Sequence, residues 1–249
     1  MRTCSRRFLL SVALVLAAFG AAPAWSADMP MPEPPEKSEH LFLFTGTDYT
    51  SFNSYFAWGG ATWAPWGLDK SGLRVTGFGG YGTYTYHSSG NAHGSGRFAT
   101  TDALIGWAIA TERTNTKFMV GANAQDQILS APDPTNPVQG TKIGVKGQID
   151  TWMNPTDSTM IFALGSYSSA FRTWYSELKF GVALLHDTEV YIGPQAIALG
   201  NERFRQWRVG LHLTGMHLGF LNVTLAGGYM NESDLGGGAY AIISGDLRF

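Results

Sequence analysis

The chain has 249 residues, 44% of them hydrophobic and only 14% charged, with 17 Lys+Arg against 19 Asp+Glu, 31 Gly and one Cys. Globular chains carry about 25% charged residues, yet the mean hydropathy is −0.06. This balance excludes both a basic nucleic-acid binder and a bundle of apolar helices.

Taken in chain order, the first segment reads as an export signal. Arg2, Arg6 and Arg7 precede an apolar run from Phe8 to Phe19, and Ala24-Trp25-Ser26 offers a cleavage site before Ala27, with Ala22-Pro23-Ala24 as a second option. The apolar run is short for a membrane-spanning anchor. Cys4 leaves with residues 1–26, so the mature chain has no thiol for a disulfide, a thiolate metal site or a nucleophile. It keeps 14 basic against 19 acidic residues. Residues 27–40, rich in proline and polar side chains, read as a periplasmic linker.

From Leu41 to Phe249 the pattern is strand-like. Aromatics at 13% and abundant glycine favour strands and tight turns, and segments of about 10 residues alternate with a period of two. Twelve begin near Leu41, Ser54, Gly72, Phe98, Thr116, Thr141, Thr159, Thr173, Glu189, Phe204, Gly219 and Gly238. In the clearest, Ile143, Val145 and Ile149 oppose Lys142, Lys146, Gln148 and Asp150. Connections at 111–115, 153–158, 185–188 and 215–218 look tight, while those at 87–97, 128–140, 199–203 and 231–237 look longer. That asymmetry, strands of bilayer-spanning length and scarce charge predict an all-β fold, an antiparallel up-and-down transmembrane barrel of about twelve strands in the outer membrane. A secreted soluble sandwich would alternate too, but with its apolar face inward. Phe249, a terminal aromatic on the apolar face, reads as a signal for the barrel assembly machinery. If Val145 meets lipid and Lys146 the lumen, Val145→Arg should be far more damaging than Lys146→Ala.

The polar face holds Arg74, Lys117, Lys142, Lys146, Gln148, Asp150, Glu177, Lys179, Glu189, Gln195, Arg208, Asp246 and Arg248. These are the candidates for the lumen, where they either pair into a plug or line a wet pore. Gly77-Phe78-Gly79-Gly80-Tyr81-Gly82 satisfies G-x-G-x-x-G, but a strand-like run follows it where a nucleotide site needs a helix. Its glycines instead suit a strongly curved strand or a close approach by another group. Tyr81, Tyr84 and Tyr86 either join an interfacial girdle or stack on sugar rings. His87, His93, His186, His212 and His217 are scattered, and no calcium-loop spacing occurs. No catalytic residue, metal or other cofactor is expected.

Several stretches resemble the BcsS family of cellulose biosynthesis proteins. They are Phe78 to Tyr86, Asp133 to Gly140 with the strand through Gly144, Ser166 to Phe171, and Ile192 to Glu202 continuing to Arg208-Val209-Gly210. The resemblance runs from about Phe44 to Phe249. It implies an accessory role in cellulose synthesis and carries over no catalytic residue. The function expected is therefore a non-enzymatic outer-membrane barrel that aids export or surface attachment of cellulose. Its partners would be outer-membrane lipid, the assembly machinery, and cellulose with its other synthesis proteins. A small-solute porin and a lipid-modifying enzyme are the alternatives.

Overall fold

The computed structural model describes residues 38–87, 93–134, 136–185 and 189–249. The expected signal peptide, and the linker up to residue 37, lie outside the described residues. The twelve strands are β1 (Leu41–Thr50), β2 (Tyr55–Trp63), β3 (Gly72–His87), β4 (His93–Ala110), β5 (Thr114–Leu129), β6 (Gly140–Thr156), β7 (Thr159–Ser168), β8 (Trp174–Ala183), β9 (Tyr191–Gly200), β10 (Arg205–Leu218), β11 (Leu221–Glu232) and β12 (Gly236–Arg248). Each pairs antiparallel with its sequence neighbours. β12 returns to β1 through a seam from Phe42↔Arg248 to Thr50↔Tyr240. Closure removes the unpaired edge that hydrocarbon could not solvate.

Strand starts agree with the sequence pattern to within two residues, except that β4 begins at His93 rather than near Phe98. The sequence Gly94-Ser95-Gly96 carries no apolar alternation there, because this stretch belongs to a wall taller than the apolar zone. β3 to β6 run 16 to 18 residues, against nine or ten for β1, β2, β7, β8 and β9. The extra height rises at the end opposite Leu41 and Phe249. There the end of β3 reaches the far rim: His87 Nδ1 lies 2.9 Å from the Asp234 carbonyl, and Arg203 donates to the His87 carbonyl at 3.0 Å.

Strand height distinguishes the two ends better than loop length does. The connection 64–71, at the end that holds Leu41 and Phe249, is longer than every connection at the other end except 130–139. It folds back beside the chain entry, where Leu68 N–H donates to the Glu39 carbonyl and Ala64 N–H to His40. The tight turn expected at 215–218 falls instead at 219–220, because β10 continues to Leu218 through an irregularity between Leu213 and Met216; Gly219 has φ +65°, a conformation most side chains resist.

Outward-facing residues form a belt. Ile143 is 79% exposed and Val145 64%, and Ile105, Val120, Leu178 and Leu211 are exposed beside them. At the tall end Tyr49, Tyr55, Tyr81, Tyr167, Trp207 and Tyr229 ring the outside, with the Tyr55–Tyr81 and Trp207–Tyr229 rings 6.3 and 5.6 Å apart. Near the other end stand Trp63, Trp66, Trp107 and Phe220. Aliphatic residues between two aromatic girdles give the outer surface that a bilayer requires. The core lies inside the barrel, where Ile197, Met230 and Tyr240 form its buried apolar cluster.

Candidate functional site

The inner face of β1 to β4 is a checkerboard of aromatics and glycines. Read across the strands by register, successive rows are Phe44–Gly60–Phe78, Gly46–Trp58–Gly80, Phe56–Gly82–Phe98, Tyr84–Gly96 and Tyr86–Gly94. A side chain added at Gly60, Gly46, Gly80, Gly82, Gly96 or Gly94 would meet the ring of Phe44, Trp58, Phe56, Phe98, Tyr84 or Tyr86 respectively, at less than 3.0 Å. Each glycine thus makes room for a ring laid across it, the arrangement in which an aromatic covers a strand glycine.

Neighbouring rings are nearly parallel. Phe56 and Phe98 are inclined by 17° with centroids 5.1 Å apart, Phe44 and Phe78 by 21° at 6.4 Å, and Phe56 and Trp58 by 23° at 5.5 Å. The rings therefore stack with an offset on one another along the wall. With Phe42, 5.7 Å from Phe44, the pavement runs from the end holding Leu41 and Phe249 up to Tyr86.

The glycines can be tested by overpacking. Gly80→Val is expected to destabilise the barrel by about 1–3 kcal/mol. Gly77→Val on the same strand faces outward with nothing within 4 Å and should stay within about 0.5 kcal/mol. The urea dependence of heat-modifiable gel mobility would measure both.

The remaining inner wall is ionic. Arg208 Nη1 bonds Asp48 Oδ2 at 2.6 Å, its Nε donates to Gln206 at 2.6 Å, and Gln206 donates to Glu232 at 2.9 Å. The Arg208 guanidinium lies 5.2 Å from the Tyr240 ring, and Tyr240 donates to Gln195 at 3.2 Å. Gln195, Tyr175 and Lys179 then converge on Glu177 at 2.5, 2.9 and 2.9 Å.

A second network joins Lys146 to Asp102 at 2.5 Å, with Asn123 donating to Asp102 at 2.6 Å. From Asn123 it passes through Gln125 and Ser168 to Thr173. Its end is the turn 169–173, folded inward. Phe171 and Arg172 there adopt positive φ, 50° and 49°. Such geometry persists in non-glycine residues only when surroundings enforce it. Here Glu202 N–H donates to the Phe171 carbonyl at 3.1 Å, and Lys142 Nζ sits 4.4 Å from the buried Phe171 ring. A third pair, Lys117–Asp150 at 3.0 Å, is joined by Gln148.

The residues singled out from sequence fall as follows. Lys117, Lys142, Lys146, Gln148, Asp150, Glu177, Lys179, Gln195, Arg208, Asp246 and Arg248 stand at inner register positions. Asp246 accepts from Asn222 at 3.0 Å, and Arg248 lies 5.9 Å from the Phe42 ring. Arg74 is also inward, but it donates to the carbonyls of Leu73, Leu68 and Lys70 and so fastens the connection 64–71. Glu189 sits in the β8–β9 connection, exposed and off the strands. The three tyrosines do not act as a set. Tyr81 points outward into the girdle while Tyr84 and Tyr86 point inward, because an odd spacing along a strand reverses the face.

Sequence reasoning missed most of the pavement, namely Phe44, Phe56, Trp58, Phe78 and Phe98. The signal was present as aromatics and glycines at even spacing, but reading it needs the register between strands.

The profile of the cellulose biosynthesis protein BcsS family matches residues 42–249. No curated protein matches the sequence. Among solved structures, the chain is similar to the translocator domain of autotransporter NalP from Neisseria meningitidis, at 11% identity and TM-score 0.48 over 86% of this chain and 90% of that one. It is similar to the beta domain of the Bordetella autotransporter Brka, at 11% identity and TM-score 0.45 over 86% and 100%. A Pseudomonas aeruginosa FadL homologue follows at 8% identity and TM-score 0.41 over 84% and 76%.

Proposed function

Because the chain belongs to the cellulose biosynthesis protein BcsS family, we propose that it is a non-enzymatic barrel of the outer membrane that assists export of cellulose or its attachment at the cell surface. The observation that carries this reading is the outer face, an aliphatic belt between two aromatic girdles on a closed barrel. Such a surface is stable in lipid and would be a liability in water. Residues 1–26 act in this reading as a cleaved signal peptide, and Phe249 engages the assembly machinery.

The lumen supports an accessory role over the alternatives. Several of its charged side chains pair with one another, as at Arg208–Asp48, Lys146–Asp102 and Lys179–Glu177, which ties them into structural networks rather than leaving them free for catalysis. The same pairing sets this wall apart from a small-solute pore lined by free charges.

Deleting the protein should lower extracellular cellulose, measured as glucose released by cellulase, and the full chain should restore it. Membrane fractionation should recover the protein with outer-membrane markers in heat-modifiable form. Undiminished cellulose in the deletion strain would overturn the reading.

A further inference from the structure

We propose that the aromatic pavement on β1 to β4 is a binding track for a flat, neutral β-linked glucan chain, held inside the lumen. The inference rests on the reading that this barrel serves cellulose synthesis, and it deepens that reading by assigning the residues and the ligand chemistry.

Three observations converge on it. First, Phe44 with Phe78, and Phe98 and Trp58 with Phe56, are near-parallel pairs, and each ring lies over or beside a glycine. The rings are only partly buried, and although Lys146 sits over Phe78, ring surface remains toward the lumen. A ligand that stacks repeatedly can use such a surface, and the C–H faces of β-linked glucose units form a flat ribbon suited to such stacking.

Second, the edges of the track hold polar atoms without partners among the described residues. Asp48 Oδ1, Thr50 Oγ1 and Gln127 Oε1 are buried and make no hydrogen bond. Asp48 and Gln127 terminate the very row that holds Phe56, Gly82 and Phe98, on β1 and β5 respectively. Buried acceptors left unmade are costly and uncommon. A glucan has apolar faces and hydroxyl-bearing edges, and those hydroxyls are the donors these positions lack. An acyl chain would satisfy the rings but not the edges.

Third, the charges near the track are already engaged. Lys146, 5.4 Å from the Phe78 ring, is paired with Asp102, and Arg208 with Asp48. Among the described residues, the cations beside the central rings are therefore already neutralised, which disfavours an anionic polysaccharide there.

The test uses the full chain folded in detergent, with closure verified by heat-modifiable mobility, and titration calorimetry against cellohexaose, maltohexaose and laurate. Cellohexaose should bind in preference to the coiled α-linked maltohexaose and to laurate. Trp58→Leu and Phe98→Leu keep apolar bulk over the glycine but lose the ring face, and each should weaken cellohexaose binding about tenfold. Tyr81→Leu, on the outer girdle, should leave it unchanged. The wild-type preference among the three probes decides the question even if a variant fails to close. Absent cellohexaose binding, equal binding of maltohexaose, a preference for laurate, or indifference to the Trp58 and Phe98 changes would each overturn the track. If deletion abolishes cellulose while cellohexaose does not bind, the track falls and the cellular role stands. If cellohexaose binds at the pavement while deletion leaves cellulose intact, the role falls and the track stands.

Discussion

Arg208→Leu is expected to lower the unfolding free energy of the barrel by about 3–5 kcal/mol, read from the urea midpoint of heat-modifiable mobility or tryptophan emission. Arg208 is only 6% exposed and Asp48 15%, so removal of the cation leaves a carboxylate in a poorly solvated lumen. The loss extends further, since Arg208 also orients Gln206 toward Glu232 and lies against Tyr240. The cost resides mainly in the stranded charge, so the double variant Arg208→Leu/Asp48→Leu should recover most of it. A double variant no more stable than Arg208→Leu alone would mean that the pair itself, and not the unpaired anion, sets the energy.

Ile149→Arg should be equally conspicuous by another route. Val145, 64% exposed on the outer face of β6, lies beyond Gly147, the register partner of the girdle residue Tyr167, where a charge costs about 1 kcal/mol or less. Ile149, 46% exposed on the same face, lies inside the girdle, where a charge toward the bilayer midplane costs about 2–4 kcal/mol. Loss of heat-modifiable protein from membranes measures it. The comparison with Lys146→Ala needs revision, because Lys146 is no solvated lumen charge. It is 17% exposed and pairs with Asp102, itself 1% exposed, so truncation there also strands a buried anion. The informative neighbour is Lys142, 44% exposed and 3.8 Å from Glu202. Lys142→Ala should cost under about 1 kcal/mol, as exposed ion pairs do. Comparable membrane insertion of Ile149→Arg and Lys142→Ala would refute the assignment of faces on β6.

Much of the fold was legible because a barrel writes its geometry into each strand separately. The alternation in 142–150 places Val145 outside and Lys146 inside without knowledge of any other strand. What could not be read one strand at a time stayed hidden. The pavement exists only across strands: Gly80 is meaningful because Trp58 stands opposite it and Phe56 lies over it, and both belong to β2. Grouping Tyr81 with Tyr84 and Tyr86 failed for a simpler reason, a change of parity inside one run. The β4 start was missed because the stretch above the apolar zone has no hydrophobic contrast to alternate. Glu189 was placed on a strand that begins two residues later, at Tyr191. The inward turn 169–173 left no trace in composition, because Phe171 and Arg172 hold their positive φ through contacts from distant strands.

The checkerboard also constrains how this wall can change through descent. A ring and the glycine beneath it occupy one volume between them, so neither position can drift alone. Gly80 can gain a side chain only if Phe56 gives up its ring, and a shrunken Phe98 leaves Gly82 uncovered. Substitutions on β1 to β4 should therefore arrive as compensating couples across the sheet. The rescue of Gly80→Val by Phe56→Ala would be the laboratory counterpart of that inheritance.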